Sequence, residues 1–325
     1  MGNEVIAAVG AGRMGRGIAI CFAYAGHRVH LIDAKLRDND GYAALKHSAI
    51  KEIRATLTMM AGFGMCDSSD IDTICGRVTC HPLADCSVAI GQSQVIFEGV
   101  PETLDAKRDA FALISAHAQP GAIIASTTST ILSNDLQPMV SHPERFLNAH
   151  WLNPAFLVPL IELSPGDATD PATTQSLKDL LEGIGKVPVV CAASPGYIVP
   201  RIQALAMNEA ARMVEEGVAS AEDIDKATKY GFGFRFAVLG LLEFIDWGGG
   251  DILYYASKYM EQATGSDRFA APDIIENNMK NGRTGLRDGK GFLNYDGLDV
   301  PAYQNERLAA FVAMLRHLDK LPAKG

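Results

Sequence analysis

Val5-Ile6-Ala7-Ala8-Val9-Gly10-Ala11-Gly12-Arg13-Met14-Gly15, closed by Asp33 eighteen residues after Gly15, is the stretch that decides the fold. Residues 5–9 are continuously apolar, as a strand buried in a parallel sheet must be. They run directly into the glycine loop and then into a helical spacing of Ile18, Ala19, Phe22 and Ala25, which Gly26 stops. Val29-His30-Leu31-Ile32-Asp33 then reads as a second strand ending in an acid. Glycines at 10, 12 and 15 let the chain turn tightly, let its backbone approach a pyrophosphate and let the helix pack close to the sheet. The helix N-terminus adds amide donors and partial positive charge. A Gly-x-Gly-x-x-Gly by itself is common, but between a strand and a helix, with an acid ending the next strand, it predicts bound NAD. Gly10, Gly12, Arg13, Met14 and Gly15 would hold the phosphates, and Asp33 the adenosine ribose hydroxyls. The Asp33 charge repels a 2′-phosphate and so favours NAD over NADP, although Lys35 and Arg37 follow closely.

Further along, Tyr42 to Met60 carries apolar residues at helical spacing, read as a helix or helical hairpin whose Lys46, Lys51 and Arg54 form a solvated face. Short strands follow at 78–80, 95–98 and 123–126, with Glu102 in a polar turn and Lys107 at a helix start. Thr127 to Ser133 is a hydroxyl-rich turn whose side chains cap the next helix or, at Ser129, face the ligand edge of an open parallel sheet. A helix over 173–183 and a strand over 187–191 finish this half. Ser194-Pro195-Gly196 marks a boundary between residues 1–194 and 195–325. The remainder reads as helical over 197–216, 221–230, 241–247 and 305–318. The fold expected is α/β, a Rossmann-type doubly wound sheet domain followed by an all-α C-terminal domain.

A chain of 325 residues with 48% hydrophobic and 21% charged residues suits two soluble globular domains. A net charge of −9 argues against nucleic acid or anionic membranes as partners. No stretch reads as a membrane span or a signal peptide, so a cytoplasmic protein is expected. Four of the six cysteines, with His81, fall between 66 and 86. They include no Cys-x-x-Cys pair, so that segment reads as loop and strand edge with buried or free thiols and no metal. The apolar helical half predicts a homodimer.

Asn148-Ala149-His150-Trp151-Leu152-Asn153-Pro154, with Glu162 twelve residues after the histidine, places an imidazole, an amide and a carboxylate on a strand–turn–strand segment. A histidine takes up and returns a proton near neutrality. A carboxylate on its other ring nitrogen would fix the tautomer and stabilise the imidazolium. Asn153 would hold a substrate oxygen beside the ring, and Pro154 keeps Asn153 extended. The alternative is a structural histidine at a strand end.

Together these residues resemble the 3-hydroxyacyl-CoA dehydrogenase family over nearly the whole chain. The resemblance rests on residues 10–15 with Asp33, Glu98-Gly99-Val100-Pro101-Glu102, the His-x-x-Asn-Pro stretch with Glu162, Pro195-Gly196-Tyr197-Ile198-Val199, and Gly289-Lys290-Gly291-Phe292. It implies that His150 is the general base, that Glu162 orients it, and that Ser129 and Asn153 hydrogen-bond the substrate. Glu102 and Lys107 would lie close to the cofactor. The reaction implied is the NAD-dependent interconversion of an L-3-hydroxy acyl substrate and its 3-oxo form. His150 would take the hydroxyl proton as hydride leaves for the nicotinamide.

Three features separate this chain from the family pattern. Pro200 stands where the family usually has an asparagine that helps hold the substrate, so that interaction is either missing or supplied by Gln203 or Asn208. Six residues, Phe234 to Leu239, lie between Gly233 and Gly240, where thioester-specific members are shorter. That length, with Arg235, looks like the gulonate 3-dehydrogenase and free-acid branch, in which Arg235 would pair with a substrate carboxylate; otherwise it is an exposed loop residue. Thr56 to Gly62 lacks the lysine run that thioester enzymes carry for CoA phosphates. The reading therefore leans to a small free 3-hydroxy acid, with short-chain 3-hydroxyacyl-CoA as the alternative. A 3-hydroxyisobutyrate-type enzyme shares a similar glycine loop but uses a catalytic lysine and lacks the His-x-x-Asn-Pro stretch, and so ranks lower. A non-catalytic, crystallin-like NAD-binding protein is the reading of another class, opposed by the presence of both His150 and Glu162.

Overall fold

The strands are β1 (Val5–Val9), β2 (Arg28–Ile32), β3 (Val78–His81), β4 (Val95–Glu98), β5 (Ile123–Ser126), β6 (Phe146–Trp151), β7 (Leu160–Pro165) and β8 (Val187–Val190). They form one sheet in the order β3-β2-β1-β4-β5-β6-β7-β8. Every neighbouring pair is parallel except β6 and β7. The computed structural model describes residues 4–323. It separates into two units, one ending at Ala206 and one starting at Met207, a division that falls inside the Val199–Glu215 helix.

Alternation along the strands assigns the two faces of the sheet. Ile6, Ala8, Phe97, Ala125, Leu147, Ala149 and Trp151 join one core, with Ile18 and Phe22 of the Arg13–Tyr24 helix and Ile53 and Leu57 of the Asn39–Gly62 helix. Ala7, Val9, Ile96, Ile124 and Phe146 join the other, with Phe111 and Ile114 of the Leu104–His117 helix. Covered on both faces, these strands need the apolar composition that made them legible. The doubly wound α/β arrangement expected from the strands and helices read along the first half of the chain is the one found.

Several local expectations are corrected. The 66–86 segment is more than loop and strand edge: besides the edge strand β3 and the turns at Ser68–Asp70 and Leu83–Asp85, it holds the Ile71–Gly76 helix. Ile71, Ile74 and Cys75 are buried there, so the apolar spacing serves a short packed helix. The six cysteines are unpaired. Phe234 to Leu239 is not an open loop either, because the chain continues helically from Ala221 through a wide turn at Thr228–Gly233 into Phe234–Phe236. Two helices that the sequence reading passed over, Gly250–Thr264 and Asp273–Lys280, belong to the second unit. Among the described residues no helix is long and apolar enough to cross a membrane.

Within the second unit, Asp246 of the Leu241–Gly248 helix is buried and accepts bonds from the Phe292 amide at 2.9 Å, the Leu293 amide at 2.8 Å and the Tyr295 hydroxyl at 3.1 Å. A Cβ on Gly291 would lie 2.0 Å from its Oδ1, and one on Gly285 2.2 Å from its carbonyl oxygen. The Gly289-Lys290-Gly291-Phe292 motif therefore wraps a buried carboxylate, a packing reason for its glycines.

The first glycine loop separates packing from binding. Gly10 has φ +115°, and a Cβ there would sit 2.5 Å from the Gly99 carbonyl oxygen, whereas a Cβ on Gly12 meets nothing within 4 Å. Gly10→Ala should lower unfolding stability by about 3 kcal/mol. Gly12→Ala should leave the urea midpoint unchanged yet weaken dinucleotide binding on titration calorimetry, since its Cβ enters the space a pyrophosphate needs. Asp246→Ala, which strands two amides and a hydroxyl, should cost about 3 kcal/mol or more in the same unfolding measurement.

Candidate active site

The antiparallel register of β6 and β7 sets His150 directly opposite Glu162. Both side chains leave the face that carries Phe146, away from Ala149, Trp151, Ile161 and Leu163. His150 Nδ1 lies 2.7 Å from Glu162 Oε2, and both residues are buried. The other carboxylate oxygen, Oε1, accepts the backbone N–H groups of Ile198 at 2.8 Å and Val199 at 2.7 Å. These are first-turn amides of the Val199–Glu215 helix, where a carboxylate is favoured by the unsatisfied donors and the helix dipole. With Nδ1 facing the carboxylate, the proton belongs on Nδ1, and Nε2 keeps its lone pair.

Tyr197, which the sequence reading assigned no role, stacks on the imidazole with ring centroids 5.0 Å apart and planes 8° from parallel. Its φ of +45° follows Gly196 at +77°, and this tight turn brings ring and amides to the dyad together. The Tyr197 hydroxyl donates to the Thr128 carbonyl at 3.0 Å and accepts from Asn148 Nδ2 at 3.1 Å. Burial pushes this phenol well above its ordinary range, so it remains a donor. Lys186 was also missed: it is buried, bonds the carbonyls of Ala155 at 2.5 Å and Val158 at 2.9 Å, and so anchors the turn after Asn153. The Asn153–Pro154 peptide is cis.

Adjacent strands place a second polar group on the same face. Glu98 pairs in register with Ser126, and Ser126 with Asn148. Glu98 is wholly buried and is met by Lys107 Nζ at 3.0 Å, the Ser126 hydroxyl at 2.6 Å and the Val100 amide at 2.7 Å. Lys107 also reaches Glu102 at 3.2 Å. Glu102 gathers the hydroxyls of Thr128 and Thr130 and the amides of Ser129 and Thr130. Burial would raise its pKa, but Thr128, the Lys107 ammonium and Thr130 hold it down to about 2. Lys107 is thus the internal counter-ion of two carboxylates. An acid ending the apolar run Val95-Ile96-Phe97, with a lysine on the next helix, was the available signal for Glu98.

A cavity of about 800 Å³ runs along the strand ends, lined by Gly12, Arg16, Asp33, Arg37, Pro101 and Leu113 among others. The Arg13–Tyr24 helix above it starts at Gly12 without a side-chain cap, so its first amides face open space. Asp33, 4% exposed, stands at the end of β2. Free amides over a glycine with room before it, and a carboxylate beyond, fit the pyrophosphate and adenosine ribose of NAD.

Ser129 and Asn153 are exposed, Ser129 beside the Thr128 carbonyl that Tyr197 binds. Arg13 is exposed at the helix start, and Met14 packs partly against the core. Pro200 occupies the second position of the Val199–Glu215 helix, and Gln203 and Asn208 are exposed on that helix. Arg235 belongs to the second unit, exposed, with its guanidinium 5.5 Å from the Phe244 ring centroid.

Residues 5–194 match the family described as 3-hydroxyacyl-CoA dehydrogenase, NAD binding domain, and residues 196–295 match the 3-hydroxyacyl-CoA dehydrogenase C-terminal domain. The chain is 31% identical over 320 residues to a 5-formyl-3-hydroxy-2-methylpyridine 4-carboxylate 5-dehydrogenase of Mesorhizobium japonicum, covering 97% of this chain and 98% of that one. It is 30% identical over 293 residues to a 3-hydroxybutyryl-CoA dehydrogenase of Bradyrhizobium diazoefficiens, covering 90% and 95%. Among solved structures, a 3-hydroxyacyl-CoA dehydrogenase of Archaeoglobus fulgidus is similar with a TM-score of 0.76 and 28% identity, covering 98% of this chain and all of that one. Since these matches take in both the sheet with its glycine loop and the helical half, the chain belongs to the 3-hydroxyacyl-CoA dehydrogenase family, NAD-dependent oxidoreductases acting on CH–OH groups.

Proposed function

We propose that the protein interconverts a small L-3-hydroxy acid and its 3-oxo form, with His150 as general base and Glu162 as the group that orients it. The observation that carries this reading is the buried 2.7 Å bond from His150 Nδ1 to Glu162, which directs the basic Nε2 elsewhere. Nε2 takes the substrate hydroxyl proton as the carbinol C–H bond breaks, and Glu162 stabilises the resulting imidazolium. In reverse the imidazolium returns the proton to a developing alkoxide. The dinucleotide, when bound, supplies the hydride chemistry. Ser129 and Asn153 hydrogen-bond the substrate oxygens, and Glu102 and Lys107 order the loop at the inner end of the cofactor cleft. The dinucleotide-binding part ends at Ser194-Pro195-Gly196.

The free-acid reading is supported by Arg235, which is exposed with its guanidinium against the Phe244 ring. It is supported too by the Mesorhizobium relative, whose name specifies a carboxylate. A short-chain acyl-CoA is the second reading, favoured by the Bradyrhizobium relative. A cytoplasmic homodimer belongs to the same proposal. Its support is the unpaired cysteines and a Val199–Glu215 helix that buries none of its residues and leaves Leu205 and Met207 about 70% exposed.

His150→Ala should lower kcat by on the order of 10³-fold while NAD still binds on titration calorimetry; turnover within a few-fold of the parent would remove His150 from the chemistry. Rates with acetoacetate against acetoacetyl-CoA, and with L-3-hydroxybutyrate and L-gulonate against L-3-hydroxybutyryl-CoA, decide the substrate class. If free acids are preferred, Arg235→Ala should raise their KM by on the order of tenfold or more. Clear preference for the thioesters would return Arg235 to the role of a surface residue.

A further inference from the structure

One side chain touches both the His150–Glu162 pair and the turn that carries Ser129. The Tyr197 ring lies 8° from parallel with the imidazole, and only 6% of Tyr197 and 7% of His150 are exposed. Its hydroxyl donates to the Thr128 carbonyl at 3.0 Å. Asn148 Nδ2 donates both to that hydroxyl, at 3.1 Å, and to the Ile131 carbonyl, at 2.9 Å. The turn is therefore held at its carbonyls by Tyr197 and Asn148, and at the Ser129 and Thr130 amides by Glu102. Tyr197 does this at φ +45°, a left-handed conformation that a residue with a Cβ keeps only where its surroundings over-determine it.

We propose that Tyr197 is a positioning residue that sets the base against the substrate-holding turn, its ring fixing the imidazole plane and its hydroxyl fixing the turn. The inference rests on the reading of His150 as base and Ser129 as substrate ligand. Its two halves act on different steps. A stacked aromatic face keeps the imidazole from tilting off the Glu162 carboxylate and keeps water from that bond, so Nε2 retains one direction. The hydroxyl bonds neither His150 nor Glu162. It orders the Thr128 carbonyl, and with it Ser129, which bears on substrate binding in ground state and transition state alike.

Tyr197→Phe keeps the ring and drops the hydroxyl, whereas Tyr197→Leu drops both. The probe is acetoacetate or acetoacetyl-CoA with NADH, whichever the parent reduces. Tyr197→Phe should raise its KM about tenfold, the effect of losing a buried hydrogen bond, and keep kcat within about threefold. Tyr197→Leu should in addition lower kcat on the order of 100-fold. A second readout needs no turnover. The Nδ1 proton of His150, identified by its loss in His150→Gln, should give a downfield NMR signal in the parent and in Tyr197→Phe. In Tyr197→Leu that signal should be broadened away by exchange with water. Because it reports the imidazole alone, failure of the proposed reaction with both probes is separable from failure of this inference. Tyr197→Met replaces Tyr197→Leu if the latter does not unfold cooperatively in urea. Persistence of the proton signal in the folded aliphatic variant, or equal kcat in the aromatic and aliphatic variants, overturns the proposal.

Discussion

The structure turns on one buried carboxylate. Glu162 has no exposed surface, and a charge so placed is tolerable only with its lone pairs satisfied. Its three donors come from two directions, the His150 ring across the β6–β7 register and the amides of Ile198 and Val199 at the start of a helix. Strand register and helix position are thereby fixed by the same group. A one-residue slip of β7 would carry Glu162 to the other face and put Ile161 or Leu163 opposite the histidine. The antiparallel β6–β7 pair, set within an otherwise parallel sheet, is what makes the direct His–Glu opposition available.

This arrangement also accounts for Pro200. The amides that Glu162 requires belong to the two residues before it, and a proline in the first helical turn gives up a donor that has no intrahelical partner. The dyad is therefore indifferent to the proline. What the proline removes is a side chain able to hydrogen-bond at that point, and this leaves the His150–Glu162 bond untouched.

Local signals were legible and distant ones were not. An apolar run, a glycine loop and a terminal acid lie within thirty-three residues, so backbone conformation and ligand chemistry could be read together from Val5 to Asp33. Glu98 appeared only as part of a motif, because its partners Ser126 and Lys107 lie 28 and 9 residues away and meet it through strand register and a helix face. Tyr197 was quoted without a role for a similar reason: its ring reaches His150 only after Gly196 and Tyr197 both adopt positive φ, which nothing local demands of a tyrosine. The cysteines between 66 and 86 drew attention to ligand spacing, while Ile71 and Ile74 were making a six-residue helix too short for periodicity to announce.

The two ends of the cofactor cleft are held by opposite means. At the inner end Lys107 is surrounded by Glu98, Glu102 and Ser126, and Glu102 in turn draws in the 128–130 turn, so no charged donor there is left unengaged. Such a fully connected buried network is rigid, and loss of any member would strand the others. At the outer end the Asp33–Arg37 pair is half open to solvent on the arginine side. A partly hydrated ion pair contributes little to stability, so it can change without disturbing the fold. The His150–Glu162 pair shares its sheet face with the rigid network, while the Asp33–Arg37 pair stands at the end of β2 with its cation free to move. That division follows from the cations, since Lys107 is wholly enclosed among its partners whereas Arg37 is about a third exposed beside a buried Asp33.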